Sequence, residues 1–282
     1  MAVLRSRPEM ASRRSTRMRL GSTLKEGNDM AIRSTTTASR RPGTQPQAKV
    51  ALATGLGLLL MALLAPFAQF GVLKTLIVPA DAAATTTNIA ASLGLFQAAI
   101  VAFLIVAILD VVVAWGFYVL MRPVNQGLAR LVVSLRIVYA AGFAFALLNL
   151  IDAAQLVHGA TGTALQSAQL QAQVAASVAA FDTGWHVALG IFGLHLVGLG
   201  ALLFRFPAPR LLAALVVLAG AGYLADSIGT ILIDGYGLTI STFTFVGEAL
   251  LIFWLFWRAA RGSRSSAAAV GPLDRATAAA AS

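Results

Sequence analysis

Cysteine is absent from the 282 residues, which excludes disulfides, thiol catalysis, thiolate zinc sites and iron-sulfur clusters and leaves the redox compartment open. Charge is scarce: 11% of residues are Asp, Glu, Lys or Arg, against about 25% in an ordinary soluble domain. With 58% hydrophobic residues and a mean hydropathy of +0.80, that scarcity excludes a soluble enzyme, a disordered scaffold and a coiled coil. Catalytic signatures are missing as well: there is no GxSxG, no GxxxxGK, no HExxH and no dinucleotide fingerprint. No nucleophile paired with a base stands out, so an enzyme ranks last among the functional classes, and no cofactor or metal is expected. An inverted three-plus-three repeat of the kind found in many secondary transporters is not evident either.

What is present is a basic tail followed by apolar runs. Residues 1–49 hold eleven Lys and Arg against Glu9, Glu26 and Asp29, a net of +8 out of the total of +10. Rich in Ser, Thr, Pro and Arg, this tail cannot bury enough surface to offset its ordering entropy, and it is expected to be a disordered cytoplasmic segment. Beside a membrane span, such basic residues fit topology determination or contact with anionic lipid headgroups better than nucleic-acid binding. Residues 259–282 form a second expected disordered tail. The stretch Lys25-Glu26-Gly27-Asn28-Asp29-Met30 can be encoded with a purine-rich ribosome-binding sequence just before an ATG, and Arg outnumbers Lys eighteen to three, as GC-rich coding produces. A start at Met30 is therefore expected, with residues 1–29 a mis-assigned extension; it would leave a net charge of +6.

A hydrocarbon core of about 30 Å needs roughly 20 apolar residues in a helix. Six runs qualify: Val50–Val72, Leu93–Met121, Leu131–Leu156, Thr183–Phe204, Leu211–Ile233 and Ile240–Trp257. The fold predicted over residues 50–258 is therefore an all-α, polytopic membrane helix bundle with six transmembrane helices. Basic residues alternate between connections. Arg122 and Arg130, Arg205 and Arg210, and the C-terminal arginines fall on one side, while the intervening loops carry none. The positive-inside rule then places both termini in the cytoplasm, with Lys74 the single exception, in a multi-pass plasma-membrane protein. Between the third and fourth runs, Leu170, Val174, Val178 and Phe181 recur at helical spacing and predict a short amphipathic helix on the outer leaflet or over the bundle.

Ionisable groups inside spans cost about 2.5–3.5 kcal/mol each on translocon scales, so each is paired, near an interface or functional. Arg136 sits about five residues, roughly 7 Å, from the start of its run, and Asp110 about eleven residues, roughly 16 Å, from the end of its own. The two can pair across neighbouring helices, either as a structural contact or as a proton site. Asn149, Asp152, His186, Asp226 and Glu248 all fall in the outer halves of their runs. Two readings compete for them: a polar, outward-opening pocket for a ligand, proton or cation, or hydrogen bonds that tie helices together. His186 and His195, nine residues apart, face opposite sides of one helix and are not a metal pair; His195 alone reads as a packed, hydrogen-bonded side chain.

The stretches FYVLMRPVNQGLARLVVSLRIVYAAG (Phe117–Gly142), GIFGLHLVGLGALLFR (Gly190–Arg205), PRLLAALVVLAGAGYLADS (Pro209–Ser227) and STFTFVGEALLIFWL (Ser241–Leu255) resemble the bacterial membrane proteins grouped as domain of unknown function 4386. The resemblance covers about residues 50–258. It implies a small multi-span membrane protein without an assigned activity, and draws attention to Arg136, His195, Tyr223, Asp226 and Ser227. Transport or small-ligand binding is the leading functional class, and a non-transporting interaction or scaffold subunit the alternative.

Overall fold

The computed structural model describes residues 44–160, 162–233, 235–237, 240 and 246–262, and among these the regular structure is helical throughout. Both expected tails lie outside the described residues, apart from the segments next to the bundle. Helix α1 runs Thr44–Pro66, widens into a π-helical stretch at Phe67–Leu73 and closes with the α-helical turn Lys74–Leu76. Pro66 has no N–H to donate, and its ring crowds the preceding turn. A π-helical stretch is one way for the helix to continue beyond it.

Next come α2 (Ala82–Ala91), α3 (Leu93–Met121) and α4 (Gln126–Gly159). A 3-10 turn at Gly162–Gln166 leads into α5 (Ala168–Arg205) and α6 (Arg210–Leu232), and the chain is helical again over 246–262, here α7. Asp81 caps α2 by accepting from the Ala84 N–H, Asn125 caps α4 through Leu128, and Ser167 caps α5 through Leu170. Five helical segments are long and apolar enough to cross a membrane: Gln47–Leu76, Leu93–Met121, Gln126–Gly159, Ala168–Arg205 and Arg210–Leu232. The sixth expected run, Ile240–Trp257, falls partly outside the described residues.

Two expectations change. The amphipathic segment at 163–181 and the fourth apolar run are not separate: from Ala168 onward they form one 38-residue helix. Val174, Val178 and Phe181 are buried because this extension lies against α2 and α4, which continues the helix without a break. Helix α4, in turn, begins five residues before its apolar run, since Asn125 supplies a cap that hydrophobicity does not reveal.

Helix α5 is the centre of the bundle, packed on α4 along one side and on α6 along the other. The α5–α6 seam is made of small residues. A Cβ built on Gly193 would lie 2.6 Å from the Gly220 carbonyl oxygen, and one on Gly220 would lie 2.5 Å from that of Gly193, so the two backbones touch. Ser227 adds a hydrogen bond across the seam, its hydroxyl donating to the His186 carbonyl at 2.6 Å.

Candidate functional site

Three helices bring charged and polar groups to one level. Asp110 lies eleven residues before the end of α3, Arg136 ten residues into α4, and His195 ten residues before the end of α5. These ends lie on one side of the bundle, so each group is about 15–16 Å from it at roughly 1.5 Å per residue. Arg136 is thus twice as deep as its apolar run suggests, and at 2% exposure it points inward.

Its Nη2 lies 2.6 Å from Asp110 Oδ1, in a carboxylate with no solvent exposure at all. This is an ion pair by distance, while neither Asp110 oxygen receives a well-directed hydrogen bond among the described residues. On the other side Arg136 Nη1 is 3.3 Å from His195 Nε2, and His195 Nδ1 is 2.7 Å from the Val132 carbonyl. A guanidinium only donates and a carbonyl only accepts. These contacts therefore assign the tautomer: Nδ1–H donates to Val132, and the Nε2 lone pair receives the arginine. Phe117 and Phe192 flank the guanidinium at 5.9 and 5.3 Å, and Met61 Sδ lies 3.9 Å from Nη2.

A second carboxyl joins this group. Glu248 of α7 is half-buried beside Tyr223 of α6. Its Oε1 is shielded from solvent without a hydrogen-bond partner among the described residues, and both Arg136 and Asp110 are within its electrostatic reach. Tyr139 stands beside them, stacked on Phe143 and 4.8 Å from the Phe192 ring.

The outer-half residues are not gathered into one pocket. Asn149 donates back to the Ala146 carbonyl in its own helix. Asp152 is exposed and lines a separate depression with Gln155 and Gln173. His186 Nε2 faces Asp182 at 3.8 Å, and both side chains are partly exposed. The space where a polar pocket was expected is filled by rings: Phe103 meets Phe143 and Trp185 at 5.4 Å each, and Trp185 meets Phe181 at 5.5 Å. Trp185 rather than its neighbour His186 faces the core, a difference of about 100° around the helix.

Asp226 is buried and serves the turn after α6. Its Oδ1 accepts from the Tyr236 hydroxyl and from the Ile240 N–H, both at 2.9 Å. Asp226→Ala is expected to cost about 1.5–3 kcal/mol, the range for hydrogen bonds to a charged group, with Tyr236→Phe costing a smaller part of it. Thermal unfolding in detergent checks the order; equal midpoints for Asp226→Ala and wild type would remove this anchoring role.

Sequence reasoning did not connect Tyr223 with Glu248, although the family resemblance drew attention to Tyr223. Comparison with known proteins adds no chemistry. A protein of Archaeoglobus fulgidus described as uncharacterized is 34% identical over 157 residues, 55% of this chain and 80% of that protein. No solved structure matches the chain. Residues 53–259 match the family described as a domain of unknown function, DUF4386, and the chain belongs to that family.

Proposed function

We propose that this is a six-span protein of a bacterial plasma membrane, both termini inside, that binds an exchangeable proton at its centre as part of a transport or small-ligand function. Six spans and this orientation are supported by the five apolar helices, the sixth apolar run and the alternation of arginines between connections. The observation that carries the proton reading is the set of charges around Arg136: its guanidinium contacts the Asp110 carboxylate, and a second shielded carboxyl, Glu248, is within electrostatic reach of both. Two carboxylates sharing a low-dielectric site do not both ionise readily, so one proton balances the group. Helices α3 and α7 supply the carboxyls, α4 supplies Arg136 and Tyr139, α5 supplies neutral-tautomer His195, and α6 supplies Tyr223.

The second reading is a static brace within an interaction or scaffold subunit, favoured by the close enclosure of Arg136 by Asp110, His195, Phe117 and Phe192. Infrared spectroscopy of the protein reconstituted in bilayers separates the two. The proton site predicts a deuterium-sensitive carboxylic-acid carbonyl band that Glu248→Gln or Asp110→Asn removes and Asp182→Asn leaves in place. A wild-type spectrum without that band would overturn proton binding and leave the brace.

A further inference from the structure

A cavity of about 720 Å³ opens far from the buried charges, between the end of α1, the turn at 78–81 and the outer extension of α5. It falls within the size range of small-ligand sites, roughly 300–1,000 Å³. We infer that it holds the headgroup of a zwitterionic aminophospholipid, with the phosphate on Lys74 and the ammonium between Asp81 and Asp182.

Four observations support a built site. First, Lys74 is the one residue that breaks the alternation of basic residues between connections, and it stands on the cavity wall, its Nζ 5.1 Å from the Phe70 ring. A cation on the lysine-free side is explained if it faces an anion there. Second, Lys74 and Gln69 are set by the π-helical stretch Phe67–Leu73, a geometry that recurs at functional sites. Gln69 is among the residues that line the cavity.

Third, the opposite walls carry carboxylates rather than more cations, which matches a ligand bearing both signs of charge. Below them Leu73, Val178 and Phe181 are buried and apolar, a surface for the first acyl carbons. Fourth, the turn is held in shape. Thr85 bonds both the N–H and the carbonyl of Val78, and Asn88 donates to the Leu76 carbonyl. Ala80 sits at φ 62°, a backbone conformation uncommon for a residue with a Cβ and concentrated at functional positions.

The apolar floor distinguishes a lipid from a free zwitterion, and the ammonium contacts distinguish phosphatidylethanolamine from lipids that lack N–H donors or a positive group. The test is binding to the purified, delipidated full chain, read by native mass spectrometry and by thermal shift. Phosphatidylethanolamine should bind more tightly than phosphatidylcholine or phosphatidylglycerol. Lys74→Met should weaken it at least about tenfold, as expected for one lost charge-assisted contact, with the lipid-free unfolding midpoint unchanged. Asp182→Asn should narrow the preference for ethanolamine over choline, a second readout at another wall. Phosphatidylglycerol binding as tightly as phosphatidylethanolamine, or Lys74→Met binding unchanged, would overturn the assignment. Equal binding of water-soluble phosphoethanolamine would overturn the lipid as occupant.

Discussion

Arg136→Leu is expected to lower the unfolding free energy by about 3–5 kcal/mol, because it strands the Asp110 carboxylate, fully enclosed 2.6 Å from where the guanidinium stood. The loss has two parts. Asp110 keeps its desolvation cost without its counter-ion, and His195 Nε2 loses the donor that fixes its tautomer. Removing both charges tests the explanation: Asp110→Leu combined with Arg136→Met should recover most of the loss, since apolar replacement of a complete buried pair is often neutral or stabilising. A double-mutant cycle on unfolding in detergent measures the coupling. It should exceed the roughly 0.6 kcal/mol average of neutral interhelical hydrogen bonds in membranes. An unchanged midpoint for Arg136→Leu would contradict the enclosed ion pair.

Gly193→Leu is the second large effect. Even the first carbon of a side chain at Gly193 would lie 2.6 Å from the Gly220 oxygen and 3.0 Å from Leu224 Cγ, so α5 and α6 must separate to admit it. Overpacking of this kind costs about 1–3 kcal/mol and sometimes more, and here it also pulls Ser227 away from the His186 carbonyl. Gly193→Ala should already be destabilising. Gly94→Ala in α3, where nothing lies within 4 Å of the added carbon, should be neutral or stabilising by up to about 1 kcal/mol through helix propensity. If both alanine variants unfold at the same temperature, the close approach of α5 and α6 is not what holds that seam.

The long apolar runs were legible because hydrocarbon length leaves a plain mark: the second run coincides with α3, Leu93–Met121. Depth was not legible at Arg136. The turn containing Gln126, Gly127 and Arg130 is helical but polar, so counting from the first apolar residue placed the guanidinium near an interface instead of midway. The same limitation fused α5, where amphipathic and apolar stretches share one helix because their buried faces are continuous. Facing was the other obstacle. Residues 185 and 186 differ by one position, and only packing decides that the indole turns inward while the imidazole remains half-exposed. Asp110 with Arg136 was the pair that spacing alone suggested, since two neighbouring helices and opposite charges leave few arrangements; the part played by Tyr223 depends on how α6 is rotated, which no local pattern encodes.

Helix α5 also has a mechanical consequence. At about 1.5 Å per residue its 38 residues span roughly 57 Å, nearly twice a hydrocarbon core of about 30 Å, and its sequence contains no proline to bend it. One part of it supplies Val178, Phe181 and Asp182 to the cavity beside Lys74, and farther along the same helix His195 contacts Arg136. Between these two positions, two residues before His195, the Gly193–Gly220 contact holds α5 against α6. The cavity wall at Asp182 and the group around the ion pair at His195 therefore share one continuous helix, roughly 20 Å apart along its axis.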